Sequence, residues 1–402
     1  MAPISLSCAL ALAQPPGKVE VIGGTNAPAG VWPDAVGVLY RDNPQEPALD
    51  EALCSGTLIA PTVVLTAGHC FEGNLIPDNV LIGASTLKAP SDGETIAVRA
   101  GFVYPDAGAS EDITVLVLAQ PSTKPPRAIA TGWAAADIQN GAKVELVGFG
   151  AIDANASNFV DELQQAETTI TDFDCSKSSG CHSAARPAGE LGAGGMGVDT
   201  CPGDSGGPLY LRTRYGTYLA GVTSRSYDDA KVMCSDGGIY ARPDKIVPWI
   251  EQVAGVPVSH GPEPTVGALV VPAGGCADTK IEVNDPASTD HDFDIPTLPA
   301  HVQAGAGADR DGKLRVCIDD KNMTGATSFQ VTLIDRTANR SLSLTVPVTI
   351  AATTPGATCC DLDGFPRNTA DSGGCCNTGH GTGGAIPLAI GVLAFVARRR
   401  RR

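Results

Sequence analysis

The sequence predicts an all-β chain, on two observations. From Val36 onward, short apolar runs separated by turn residues recur, the pattern of antiparallel sandwiches and barrels. Long stretches of helical periodicity are absent, and the one good amphipathic helix comes late.

In chain order the first strands are read at Val36 to Tyr40, Gly56 to Ala60, Val63 to Ala67, Val80 to Gly83, Ile96 to Phe102 and Ile113 to Leu118. A second set follows at Lys143 to Phe149, Ala166 to Ile170, Pro208 to Leu211, Tyr218 to Ser224 and Gly238 to Ala241. The helix spans Pro243 to Val253, where Ile246, Val247, Trp249, Ile250 and Val253 lie on or near one face. A polar stretch rich in Pro and Gly, from Pro257 to Gly267, reads as a linker. Strand patterning then resumes at Ala268 to Val271, Lys280 to Val283, Lys313 to Ile318, Ser328 to Ile334 and Ser341 to Ile350. This last set predicts a small immunoglobulin-like sandwich, with Cys276 and Cys317 as its bridge.

Composition narrows the function classes. A chain of 402 residues holds two or three domains, and a net charge of -16 speaks against binding a phosphate backbone, so no nucleic-acid partner is expected. The 13 cysteines are mostly closely spaced and show little metal-ligand spacing, which argues for disulfides, an oxidising compartment and export. Ile4 to Ala13 is short, apolar and closed by small residues, as in a signal peptide, but lacks a basic lead. Residues 1–20 are therefore read as signal peptide and short propeptide.

The chemistry concentrates in Asp199-Thr200-Cys201-Pro202-Gly203-Asp204-Ser205-Gly206-Gly207-Pro208. One Ser stands among small residues that let a carbonyl approach the backbone. Alone, the stretch is equally a glycine-rich turn, because a serine nucleophile needs a base and an orienting acid. Leu65-Thr66-Ala67-Gly68-His69-Cys70 places a His after one strand, and Glu111-Asp112-Ile113 places an Asp before another. Taken singly, these are a structural His and a solvated turn residue.

Taken together, they resemble the trypsin/chymotrypsin family of serine proteases over about Val21 to Gly255. The order His69, Asp112, Ser205 is that family's, and it excludes an α/β-hydrolase nucleophile elbow, in which the Ser precedes its acid and His. The resemblance implies two antiparallel six-stranded β-barrels with a C-terminal helix over residues 21–255. It implies that Ser205 is the nucleophile, His69 the base and Asp112 its orienting acid, with the Gly203 and Ser205 N–H groups as an oxyanion hole. Asp204 would pair with an α-amino group released at Val21, although Glu20 stands where family precursors commonly carry a basic residue. Asp199, six residues before Ser205, matches the carboxylate that selects Arg or Lys, and Gly238 matches a pocket-wall glycine. Ser224-Arg225-Ser226 replaces the usual Ser-Trp-Gly along which an extended substrate pairs, so Ser224 and Ser226 are expected at the substrate. The family's bridges correspond to Cys54–Cys70 and Cys201–Cys234, while proximity suggests Cys175–Cys181. No cofactor or metal is called for.

Beyond the linker at 256–267, a β-sandwich-like domain is expected over 268–355, a Cys/Gly-rich spacer over 356–384 and an apolar, Arg-rich tail over 385–402. Gly373-Gly374-Cys375-Cys376, the apolar run Ala385 to Ala397 and Arg398 to Arg402 resemble the C-terminal sorting signals of myxobacterial surface proteins. That implies sorting machinery and a membrane as partners, with a short membrane segment. Asp309-Arg310-Asp311-Gly312 and Asp361-Leu362-Asp363-Gly364 lack the remaining ligands of a calcium loop and read as turns.

The expected function is thus a secreted or surface-anchored endopeptidase made as a precursor, with Arg/Lys-containing peptides or proteins as substrates and a separate activating protease as partner. Two other readings stand beside it: a homologue of the same fold that binds ligands without turnover, and a narrow-specificity regulatory protease.

Overall fold

A computed structural model describes residues 21–40, 52–71, 76–88, 91–105, 112–182, 189–307 and 310–352. The expected signal peptide, the spacer, the apolar segment and the arginine tail lie outside the described residues, as do Glu20 and Asp361 to Gly364.

The first half supplies β1 (Thr25–Asn26), β2 (Ala35–Tyr40), β3 (Ala52–Ala60), β4 (Val63–Thr66), β5 (Pro77–Ile82), β6 (Glu94–Val103) and β7 (Thr114–Leu118). Six of these close an antiparallel barrel in the order β2-β3-β4-β7-β6-β5. Burial follows sequence pattern: β6 alternates, with Ile96, Val98 and Ala100 turned inward and Thr95, Ala97 and Arg99 outward, whereas β2, β4 and β7 are apolar and buried on both faces.

A short helix α1 (Gly132–Ala136) leads into β8 (Lys143–Gly148), β9 (Gln164–Asp172), β10 (Glu190–Ala193), β11 (Pro208–Thr213), β12 (Gly216–Ser226) and β13 (Gly238–Ala241). These close a second barrel, β9-β10-β13-β12-β11-β8, because β8 also pairs with β9, and β1 adds to the outside of β9. The two expected six-stranded barrels are therefore present. Of the twelve strands that close the barrels, the one the periodicity missed is β10, whose sequence Glu-Leu-Gly-Ala carries only one large apolar side chain.

The expected helix is split into a 3₁₀ turn, Pro243–Lys245, and α2 (Val247–Ala254), which ends on Gly255 at φ 71°. Pro248 is the cause: it has no N–H to donate backward, so it is accommodated only in the first turn of a new helix. Val247 and Ile250 of α2 share one apolar core with Val63, Leu65, Ile113 and Val115 of the first barrel, so the chain end of the second barrel ties the two together.

The chain continues as β14 (Thr265–Val266), β15 (Leu269–Pro272), β16 (Cys276–Glu282), β17 (His291–Asp294), β18 (Val302–Ala306), β19 (Lys313–Ile318), β20 (Gly325–Asp335) and β21 (Arg340–Ala351). They form two four-stranded sheets, β14-β16-β19-β18 and β15-β21-β20-β17, which contribute to one core that includes Ile281, Val316, Val331 and Val348. Cys276 and Cys317 face each other in the β16–β19 register and are bonded. The Pro/Gly-rich stretch before these sheets is hydrogen-bonded to the barrels, through Ile129 N–H to Ser259 O at 2.9 Å and Trp133 N–H to Pro262 O at 2.8 Å.

Candidate active site

His69 lies in a 3₁₀ turn, Gly68–Phe71, immediately after β4, and Asp112 lies two residues before β7, its antiparallel neighbour. Strand pairing thus fixes the two residues side by side. Asp112 Oδ1 accepts the His69 backbone N–H at 2.8 Å, and Oδ2 is 2.8 Å from His69 Nδ1. Gly68 allows this approach, since a Cβ there would sit 2.8 Å from Asp112 Oδ1. Ser224 Oγ also donates to Oδ2, at 2.6 Å. Burial raises the Asp112 carboxyl, but the hydrogen bond and charge of His69, with Ser224, outweigh it and hold the group below its ordinary value. The imidazole is 41% exposed and the acid 19%, so a partly exposed ring backs onto a covered carboxylate.

Ser205 comes from the other barrel, on the loop before β11. Its carbonyl accepts the Ser55 N–H at 2.8 Å, and Ser55 belongs to β3 of the first barrel. Gly206 packs onto the strand leading to His69, where a Cβ would lie 2.5 Å from Ser55 O and 2.6 Å from Ala67 N. The Cys54–Cys70 bridge anchors the His69 turn to β3, and Cys70 Sγ lies 3.7 Å from Ser205 O. That sulfur is spent in the disulfide and has no proton to give, so the closeness is packing.

The loop is a run of tight turns, with Asp204 N–H to Cys201 O at 2.9 Å and Gly207 N–H to Asp204 O at 2.7 Å. Gly203 sits at φ 97°, a conformation suited to glycine, and its carbonyl accepts from Ser55 Oγ at 2.9 Å. Among the described residues, the Gly203 and Ser205 N–H groups donate to no protein acceptor. Ser55, which braces both carbonyls of this loop, was missed by the sequence reading. Its only sequence signal is its place beside Cys54.

Asp199 is buried and accepts three backbone N–H groups, from Thr200 and Ser235 at 2.8 Å and from Gly237 at 2.9 Å. No cation pairs with it among the described residues. Burial pushes its carboxyl up to about 6 against the pull of those donors, and the nearby charge of Asp236 adds to the rise. Gly238 stands close by: a Cβ there would be 3.5 Å from Asp199 Oδ1. Ser226 is the register partner of Gly238 on β12, and its hydroxyl donates to Met233 O at 2.9 Å. The Cys201–Cys234 bridge joins the two loops that hold the carboxylate.

Asp204 is fully buried, with Cys201 N–H at 2.9 Å and Gly150 N–H at 2.8 Å as its donors, and burial pushes it up to about 7. Val21 and Ile22 are buried as well. Ile22 packs with Ala151, Cys201 and Cys234, and its carbonyl accepts the Asp199 N–H at 3.3 Å. Ile22 and Asp204 therefore both border Cys201, whereas Val21 packs with Ala130, Val144 and Leu146. The Cys175–Cys181 bridge is also present, closing the loop after β9.

Comparison with known proteins agrees with this geometry. The trypsin family profile matches residues 21–250. A protein named trypsin from Saccharopolyspora erythraea is 29% identical over 225 residues, 55% of this chain and 92% of the relative. With more than half of its length matched and both barrels in place, the chain belongs to the trypsin family and is a serine endopeptidase.

Proposed function

We propose that the protein is an exported endopeptidase that cleaves after Arg or Lys, with Ser205, His69 and Asp112 as its triad. Neutral His69 takes the Ser205 hydroxyl proton through Nε2 as Oγ attacks the scissile carbonyl. Asp112, on Nδ1, fixes the tautomer and stabilises the imidazolium while keeping its own charge. The carbonyl oxygen becomes an oxyanion and is met by the N–H groups of Gly203 and Ser205, each worth about 3 kcal/mol in such sites. His69 returns the proton to the leaving amine, and water repeats the sequence on the acyl-enzyme.

The observation that carries the specificity is Asp199: a buried carboxylate among backbone donors, with no cation paired to it among the described residues. A substrate guanidinium or ammonium supplies that charge, and an uncharged side chain leaves the acid unpaired. Gly238 leaves room for a long side chain, and Ser224 to Ser226 of β12 offers its backbone to the substrate strand.

Asp204 is the proposed partner of the Val21 ammonium after cleavage of a precursor behind Glu20, a pairing that fixes the oxyanion loop. Four disulfides, Cys276–Cys317 included, support an oxidising compartment. Among the described residues no helix is long and apolar enough to cross a membrane. Surface anchoring therefore rests on the tail sequence at 385–402. The sheets after the linker form the proposed second domain.

Small peptide substrates with Arg, Lys or an aromatic residue before the scissile bond, with Ser205→Ala as blank, test the reading. The expected result is Ser205-dependent hydrolysis confined to Arg and Lys, by a species whose N-terminus reads Val21-Ile22-Gly23-Gly24. A preference for aromatic substrates would overturn the role of Asp199, and an active species with another N-terminus would overturn activation at Val21.

A further inference from the structure

Ser224 is the extra residue of a bulge: β12 pairs Thr223 with Tyr240 and Arg225 with Ile239, leaving Ser224 unmatched and its hydroxyl turned to Asp112. A serine hydroxyl has one proton and two lone pairs. Arg225 Nη1 donates to Ser224 Oγ at 3.2 Å, so an N–H fills one lone pair and the Ser224 proton is directed at Asp112 Oδ2.

Arg225 is itself clamped. Nη1 donates to Glu190 Oε1 at 2.6 Å, Nη2 to Glu190 Oε2 at 2.9 Å, and Nη2 also to Gly180 O at 2.7 Å. The Glu190 side chain is 0% exposed and that of Arg225 35%, and Glu190 accepts the His182 backbone N–H at 2.9 Å as well. The positive end of this pair stands one hydroxyl away from Asp112, with the negative end behind it. An apolar pair would fill the same space without desolvating two charges, so stability alone gives no reason for an ion pair here.

We propose that Arg225, held by Glu190, is a positioning residue for the triad: it fixes the Ser224 hydroxyl on Asp112 and sets the basicity of His69 through that contact. The inference rests on the reading of His69 and Asp112 as base and acid. Among the described residues, the charged groups hydrogen-bonded into this network are Arg225 on β12 and Glu190 on β10, while Asp199 and Asp204 of the Ser205 loop accept from other backbone groups. Only the first two change in the test.

The measurement is the His69 imidazole pKa, followed by ¹⁵N NMR in the processed full chain and assigned against His69→Gln. Glu190→Gln keeps the shape and leaves the Arg225 charge uncompensated, which disfavours the imidazolium and lowers the pKa by about half a unit. Glu190→Gln with Arg225→Met removes the cation and the donor to Ser224, makes Asp112 more basic, and raises the pKa by about half a unit. Arg225→Lys, which keeps the charge without the fork, falls between wild type and the double variant.

In active enzyme the acid limb of kcat/KM moves with the NMR value, and kcat falls in the double variant. Shifts in one direction for both variants, or no shift in either, would overturn the proposal, since a merely structural pair has no reason to move His69 oppositely. If His69 shifts as stated but wild type shows no Ser205-dependent hydrolysis, the functional reading fails and the positioning role stands. If hydrolysis depends on Ser205 and His69 does not move, the positioning role alone fails.

Discussion

With Asp199 as the proposed specificity carboxylate, its charge state would decide which substrate side chains are accepted. Its carboxyl titrates at about 6, raised first by burial, so in the free enzyme it is neutral below that pH and anionic above it. Its attraction for a substrate cation is accordingly full at high pH and lost as pH falls through about 6. The ratio of kcat/KM for an Arg substrate to that for an uncharged isostere isolates this effect, since His69 and Ser205 serve both substrates and cancel. The ratio is expected to fall up to about tenfold per pH unit below 6, and to be low and flat in Asp199→Asn. A ratio independent of pH between 4.5 and 8 would contradict the assignment. Asp199 was legible from its spacing to Ser205. Its donors were not, because Ser235 and Gly237 reach it only when a distant loop folds over.

At the scale of elements, the strands with bulky apolar residues were readable from their runs alone. β10, β17 and β18 were not, because Gly192, the His291-Asp292-Phe293-Asp294 segment and the small residues of Val302 to Ala306 dilute the pattern. That gap also hid Glu190, which lies on β10. The departure at Arg225 is plain in the sequence, but neither its partner nor the bulge that lets Ser224 and Arg225 both serve the site has a local signature. A bulge is a matter of register between two strands, and register is written in no single stretch. The order His69, Asp112, Ser205 was visible because each adjoins a well-marked strand or turn.

Across the molecule, the contacts between the barrels and the C-terminal sheets include a buried side chain and a charge network, besides hydrogen bonds from Arg214 to Ala287 O and from Gln139 to Asn339 O. Trp133 of α1 is 0% exposed, shares the core of the C-terminal sheets, and donates through Nε1 to Val283 O at 2.7 Å. The Arg340 guanidinium lies 5.1 Å from its ring centroid and pairs with Asp137 at 3.0 Å, Asp285 at 2.6 Å and Asp335 at 2.9 Å. Asp137 belongs to the barrel side, where Tyr215 also donates to it. A linker was expected here, and no sequence pattern marks the docking of the sheets, because Trp133 sits in a helix too short to register as periodic. Trp133→Ala is expected to cost about 3–5 kcal/mol by urea unfolding and to split one transition into two. A single unchanged transition would show that Trp133 does not couple the sheets to the barrels.

The whole account depends on Ser205 being a nucleophile activated across the two barrels. The most direct measurement is the intact mass of the processed protein after exposure to a slowly deacylating ester whose acyl group carries a guanidinium. Ser205 Oγ would take the acyl group as the alcohol leaves, with His69 passing the proton. One acyl group per chain, mapped to Ser205 and absent in Ser205→Ala, is the predicted result. No adduct, or an equal adduct in Ser205→Ala, would contradict it.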